Sequence, residues 1–74
     1  MPRKFGVFVR GEREARAFFD IFPRALERAR ELAGNGIAKS DIRIEVYVSE
    51  PALLRTFFYR YDAKTDAWKR QETD

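Results

Sequence analysis

Cysteine and histidine are both absent from this 74-residue chain. The first absence excludes a disulfide staple, and the two together exclude the usual structural zinc sites. They also remove the commonest nucleophile and base partners. The hydroxyls that remain, Ser40, Ser49, Thr56, Thr65 and Thr73, stand in no recognisable catalytic setting. Long uncharged runs are missing too, so no segment approaches transmembrane length. Met1-Pro2-Arg3-Lys4-Phe5 lacks the apolar stretch of a secretory signal. The expectation is a cytoplasmic protein with no membrane partner. Only four glycines and three prolines occur, and there is no linker, repeat or low-complexity segment. Residues 1–74 therefore read as one domain. Without a covalent or metal staple, so short a chain depends on dense aromatic packing, on self-association, or on both.

What is present is charge and aromatic surface. The formal net charge is +3, with 15 basic and 12 acidic residues. The excess lies formally in residues 1–36, while the stretch from Leu53 to Arg70 is locally +3 and is offset by acidic neighbours. This is a mixed, mildly basic surface rather than the footprint of a dedicated nucleic-acid binder. Six of the eleven aromatic residues fall between Tyr47 and Trp68, interleaved with Arg55, Arg60, Lys69 and Arg70.

Lys4 to Arg10 reads as a strand, with Phe5, Val7 and Val9 on one face and Phe8 on the other. Two readings compete for residues 12–20. If Gly11-Glu12-Arg13 is a hairpin loop, Val9 faces Ala15, Val7 faces Ala17 and Phe5 faces Phe19, apolar against apolar. A helix from Glu12 also keeps a 3.6-residue period, but it places Pro23 in its interior at a cost of about 3 kcal/mol. The balance favours the hairpin. From Phe22 the helix is clear, with Phe22, Ala25, Leu26, Ala29, Leu32 and Ala33 as its apolar stripe. Asp20 is the expected N-cap, and Gly34-Asn35-Gly36 closes the helix with Ile37 packing back. Because that glycine pair ends a helix rather than opening one, it is not a phosphate loop.

Asp41 to Val48 alternates cleanly as a half-buried strand, with Glu45 on its solvent side. Leu53 to Tyr61 and Ala67 to Glu72 form a second hairpin around Asp62-Ala63-Lys64-Thr65-Asp66. Asp62 suits acceptance of turn N–H groups and Asp66 a left-handed position, which is a commoner role for such a pair than metal binding. Tyr61-Asp62-Ala63-Lys64-Thr65-Asp66-Ala67-Trp68 resembles the Tyr-Asp…Thr…Trp hairpin of kelch propeller blades over about eight residues. The chain is too short for a propeller, so the likeness is read as shared turn chemistry.

Pairing Tyr61 with Trp68 puts Arg55, Phe57, Tyr59, Tyr61, Trp68 and Arg70 on one face of the second hairpin. Leu54, Thr56, Phe58, Arg60 and Lys69 fall on the other. Burial favours the first face as core. Turned outward, the same aromatics beside arginines offer stacking surfaces for unpaired bases. A helix of about 13 residues spans about 20 Å and covers one face of a five-stranded sheet. Phe8, Phe18, Tyr47 and Phe58 are then left over on the far side, and uncovered apolar surface marks a partner site.

The expectation is an α+β single domain, one helix on a mainly antiparallel sheet, in the order β-β-α-β-β-β with β-α-β-β-β as fallback. It is read as a non-enzymatic interaction module without cofactor or metal, self-associating through the face away from the helix or binding another protein. Nucleic acid, held by Arg55, Phe57, Tyr59, Tyr61, Trp68 and Arg70, is the alternative partner.

Overall fold

The computed structural model describes residues 3–48 and 54–72. Its strands are β1 (Arg3–Val9), β2 (Ala17–Phe19), β3 (Ile42–Val48), β4 (Leu54–Asp62) and β5 (Ala67–Glu72). One helix, α1 (Phe22–Gly34), connects β2 to β3. Every strand pairing is antiparallel, and the sheet order is β2-β1-β3-β4-β5. The α+β class and the order β-β-α-β-β-β are thus those expected from the sequence. Leu53 lies outside the described residues, as do the side chains of residues 54–56 and 72.

The first hairpin takes the expected register, with Phe5 opposite Phe19 and Val7 opposite Ala17. Its tip differs, because Val9 and Ala15 do not pair and β2 starts only at Ala17. Two interactions open the loop. Glu12 accepts two hydrogen bonds of 2.7 Å from the Arg16 guanidinium, closing residues 12–16 on themselves. The Arg10 N–H donates to the Asp41 carbonyl at 2.7 Å, so the end of β1 is engaged on its β3 side.

In α1 the small residues Ala25 and Ala29 and the longer Leu32 are buried against the sheet. Pro23 sits in the first turn, where its missing N–H breaks no helical bond. Asp20 does not cap the helix. Ile21 holds the cap position without a side-chain hydrogen bond, and Asp20 accepts from Lys4 Nζ at 2.9 Å instead. At the other end Gly36 adopts φ +104°. The Ile37 N–H donates to the Leu32 carbonyl and the Gly36 N–H to that of Ala33, each at 3.2 Å. This paired return closes the helix and brings Ile37 onto the core.

The ladders sort the side chains onto two faces. Toward α1 point Val7, Val9, Ile42, Ile44 and Val46, all buried. Removing such a side chain from water contributes about 1.5–3 kcal/mol. The opposite face carries Gly6, Phe8, Phe18, Arg43, Glu45, Tyr47, Phe58, Arg60 and Lys69. No described element lies over that face. The second hairpin pairs as expected, Tyr61 opposite Trp68, and Asp66 takes φ +52° in its turn. Asp62 accepts from the Lys64 N–H at 3.2 Å and from Thr65 Oγ1 at 3.1 Å.

Candidate functional site

The aromatic row of the second hairpin stands on the helix side. Trp68 is 7% exposed, and its Nε1 donates to the Ile42 carbonyl at 2.9 Å. Phe57 is buried, with the Arg70 guanidinium 4.1 Å above its ring. Tyr59, half-buried, stacks on Phe22 of the helix at 4.3 Å between centroids, and Tyr61 packs on Trp68 at 5.2 Å. These rings close the flank of the core beside α1. Arg70 remains exposed at the edge. A register shift interrupts the β3–β4 ladder between Val46 and Tyr47, next to Arg55, whose backbone pairs with Tyr47 and whose side chain lies outside the described set.

Tyr61 also anchors the turn beside it. Its hydroxyl donates to Asp66 Oδ1 at 2.5 Å, and Lys39 Nζ reaches the same oxygen at 2.9 Å. The bond to Asp66 raises the Tyr61 pKa above the usual tyrosine value. The same bond, with help from Lys39, holds Asp66 below the usual carboxylate value. Asp62 is lowered chiefly by the Lys64 N–H. Both aspartates are thus engaged in turn geometry. Among the described residues no group of three or more His, Cys, Asp or Glu is placed to hold a metal ion.

The far face divides into two halves. Over β2, β1 and β3 lies an aromatic cluster. Phe8 and Phe18 meet edge to face at 6.5 Å, as do Phe18 and Tyr47 at 6.0 Å, while Phe8 and Tyr47 lie tilted at 6.3 Å. Phe8 is buried beneath its neighbours, while Phe18 remains 48% exposed. Gly6 makes this stacking feasible, since a Cβ there would lie 2.8 Å from Phe18 Cε1 and 2.9 Å from Phe8 Cε1. Arg13, Glu14 and Ala15 complete the rim of a shallow depression shared with Phe8, Phe18 and Tyr47.

The second half, over β3, β4 and β5, is basic. Arg43 lies directly opposite Arg60, and Arg60 directly opposite Lys69. Beside this row Glu45 is only 3% exposed, against the expectation of a solvated strand-face residue. Arg43 on one side and Tyr47 on the other close over it, with Arg43 Nε donating to Oε2 and the Tyr47 hydroxyl to Oε1 at 2.8 Å. The i±2 spacing of these three residues on one strand is the sequence signal for that burial. Arg43 also covers the Phe8 ring at 4.9 Å.

The aromatic surplus Phe8, Phe18, Tyr47 and Phe58 was visible in strand alternation. The basic row was not, because it exists only once three strands are set in register. Compared with protein-family models, with curated proteins and with solved structures, the chain finds no match in any of the three.

Proposed function

We propose that this protein is an interaction module that pairs with a second copy of itself through the aromatic half of the open sheet face. The observation that carries the reading is Phe18, 48% exposed on the edge strand β2 and in contact with the other two rings of a cluster that no described element covers. Covering the exposed half of such a ring contributes about 1 kcal/mol, and a symmetric contact counts it twice.

Charge favours a copy over an unrelated partner. The depression beside the cluster is rimmed by one cation and one anion, Arg13 and Glu14, neither ion-paired among the described residues. A two-fold axis that passes Phe18 and runs between Arg13 and Glu14 would set each Arg13 against the other chain's Glu14, making the surface complementary to itself. The same axis keeps the basic half of one chain away from that of the other.

Sedimentation equilibrium over a wide concentration range tests the reading. A dimer that persists at moderate salt is expected, because the contact is mainly apolar. Phe18→Glu is expected to give a folded monomer. A wild-type chain that stays strictly monomeric at the highest concentration overturns the proposal.

A further inference from the structure

The basic half of the open face poses an electrostatic problem that the described residues solve only at its two ends. Arg43, Arg60 and Lys69 face one another on three adjacent strands, spaced by about 4.8 Å per strand. Like charges directly opposite on a sheet repel. Both ends of the row are neutralised, Arg43 by Glu45 and Lys69 by Asp62 at 3.4 Å. Arg60, in the middle, has no carboxylate partner among the described residues.

Beside Arg60 the surface falls into a cleft of about 410 Å³. Arg10, Ser40, Asp41, Arg43, Phe58 and Arg60 line it. Three arginines, on β3, on β4 and just after β1, thus border one hollow, with Ser40 beside them. Asp41 is the carboxylate in the lining, and its Oδ1 lies 3.6 Å from Arg10 Nε. Phe58 adds a half-buried ring, and Ile42 a second apolar residue, to a wall that is otherwise mainly polar.

We propose that this cleft binds a nucleotide unit, its phosphate held by Arg60 with Arg10 and Arg43, its base laid against Phe58. Planar guanidinium forks match phosphate oxygens in pairs, and aromatic rings accept any base on their faces. Arg60, the cation that repels its neighbours along the row, is the one a phosphate relieves. Beyond the cleft the row continues to Lys69, in the direction a second phosphate of a strand would take. This site is separate from the aromatic half and does not rest on self-association.

Fluorescence anisotropy and amide NMR on the whole chain test it with four probes: adenosine monophosphate, a short oligothymidylate, inorganic phosphate and polyglutamate. Both nucleotide probes are expected to shift the signals of Ser40, Phe58 and Arg60. Tighter binding of the oligothymidylate identifies a strand as the source of the nucleotide, and equal binding identifies the free nucleotide. Arg60→Gln, an exposed change that leaves the core untouched, is expected to weaken binding about tenfold. It should also reduce the slope of log K against log salt by about 1. Arg10→Ala should weaken binding in the same direction. Phe18→Glu should leave binding intact whatever it does to the dimer. Absence of any shift, or unchanged affinity in Arg60→Gln, overturns the proposal, and so does polyglutamate or inorganic phosphate binding as well as the nucleotides.

Discussion

Gly6 shows how one missing atom shapes a surface. Phe8 and Phe18 lie across its Cα, within 3 Å of where a Cβ would stand. Gly6→Ala is therefore expected to destabilise the domain by about 1–3 kcal/mol through overpacking, despite the better strand entropy of alanine. Urea unfolding measures this directly, and an unchanged or higher midpoint would count against the stacking. The same substitution should weaken self-association, since Phe18 is the ring freest to move. Trp68 represents the opposite case, a large side chain given wholly to the interior. Trp68→Phe keeps most of the ring volume but removes the donor to the Ile42 carbonyl. A loss of about 1–3 kcal/mol is expected by the same measurement.

At the level of elements, two chain reversals carry specific backbone demands. Gly36 closes α1 at φ +104°, with open space where a Cβ would project. Gly36→Ala is therefore expected to cost about 1 kcal/mol from backbone strain alone, with no clash to relieve. In the β4–β5 turn the charges set a pH window. Asp62 and Asp66 are held below their usual value, so their contribution is complete above the ordinary carboxylate range. It is lost as pH falls through the lowered folded values. Tyr61 and Lys39 are raised, so their contribution is complete below their ordinary values and is lost as pH rises through the raised ones. In an ultraviolet titration Tyr61 should ionise later than an ordinary phenol. That late step should disappear in Tyr61→Phe and move to lower pH in Asp66→Asn.

At the scale of the whole molecule, one helix on a five-stranded sheet leaves a face whose two halves differ in chemistry. The aromatic half is read as the contact with a second copy and the basic half as a nucleotide cleft, and the two readings respond differently to salt. A dimer formed by Phe18 should tolerate moderate salt, whereas a phosphate complex should weaken steeply. The element order, the Phe5–Phe19 register, the α1 stripe and the Tyr61–Trp68 pairing were legible in the sequence, because strand alternation, helical period and turn residues act over a few positions. The expected Asp20 cap and tight loop at Gly11 did not form, because the Lys4 side chain engages Asp20 and the Asp41 carbonyl engages the Arg10 N–H, both from segments distant in sequence. The same limit applies to the open face. Local pattern alone placed Phe8, Phe18 and Tyr47 away from the helix. That Glu45 is buried, and that Arg43, Arg60 and Lys69 form one row beside a cleft, depends on the β1–β3–β4–β5 register. Such registers are fixed by packing between strands distant in sequence, and only the tertiary structure decides them.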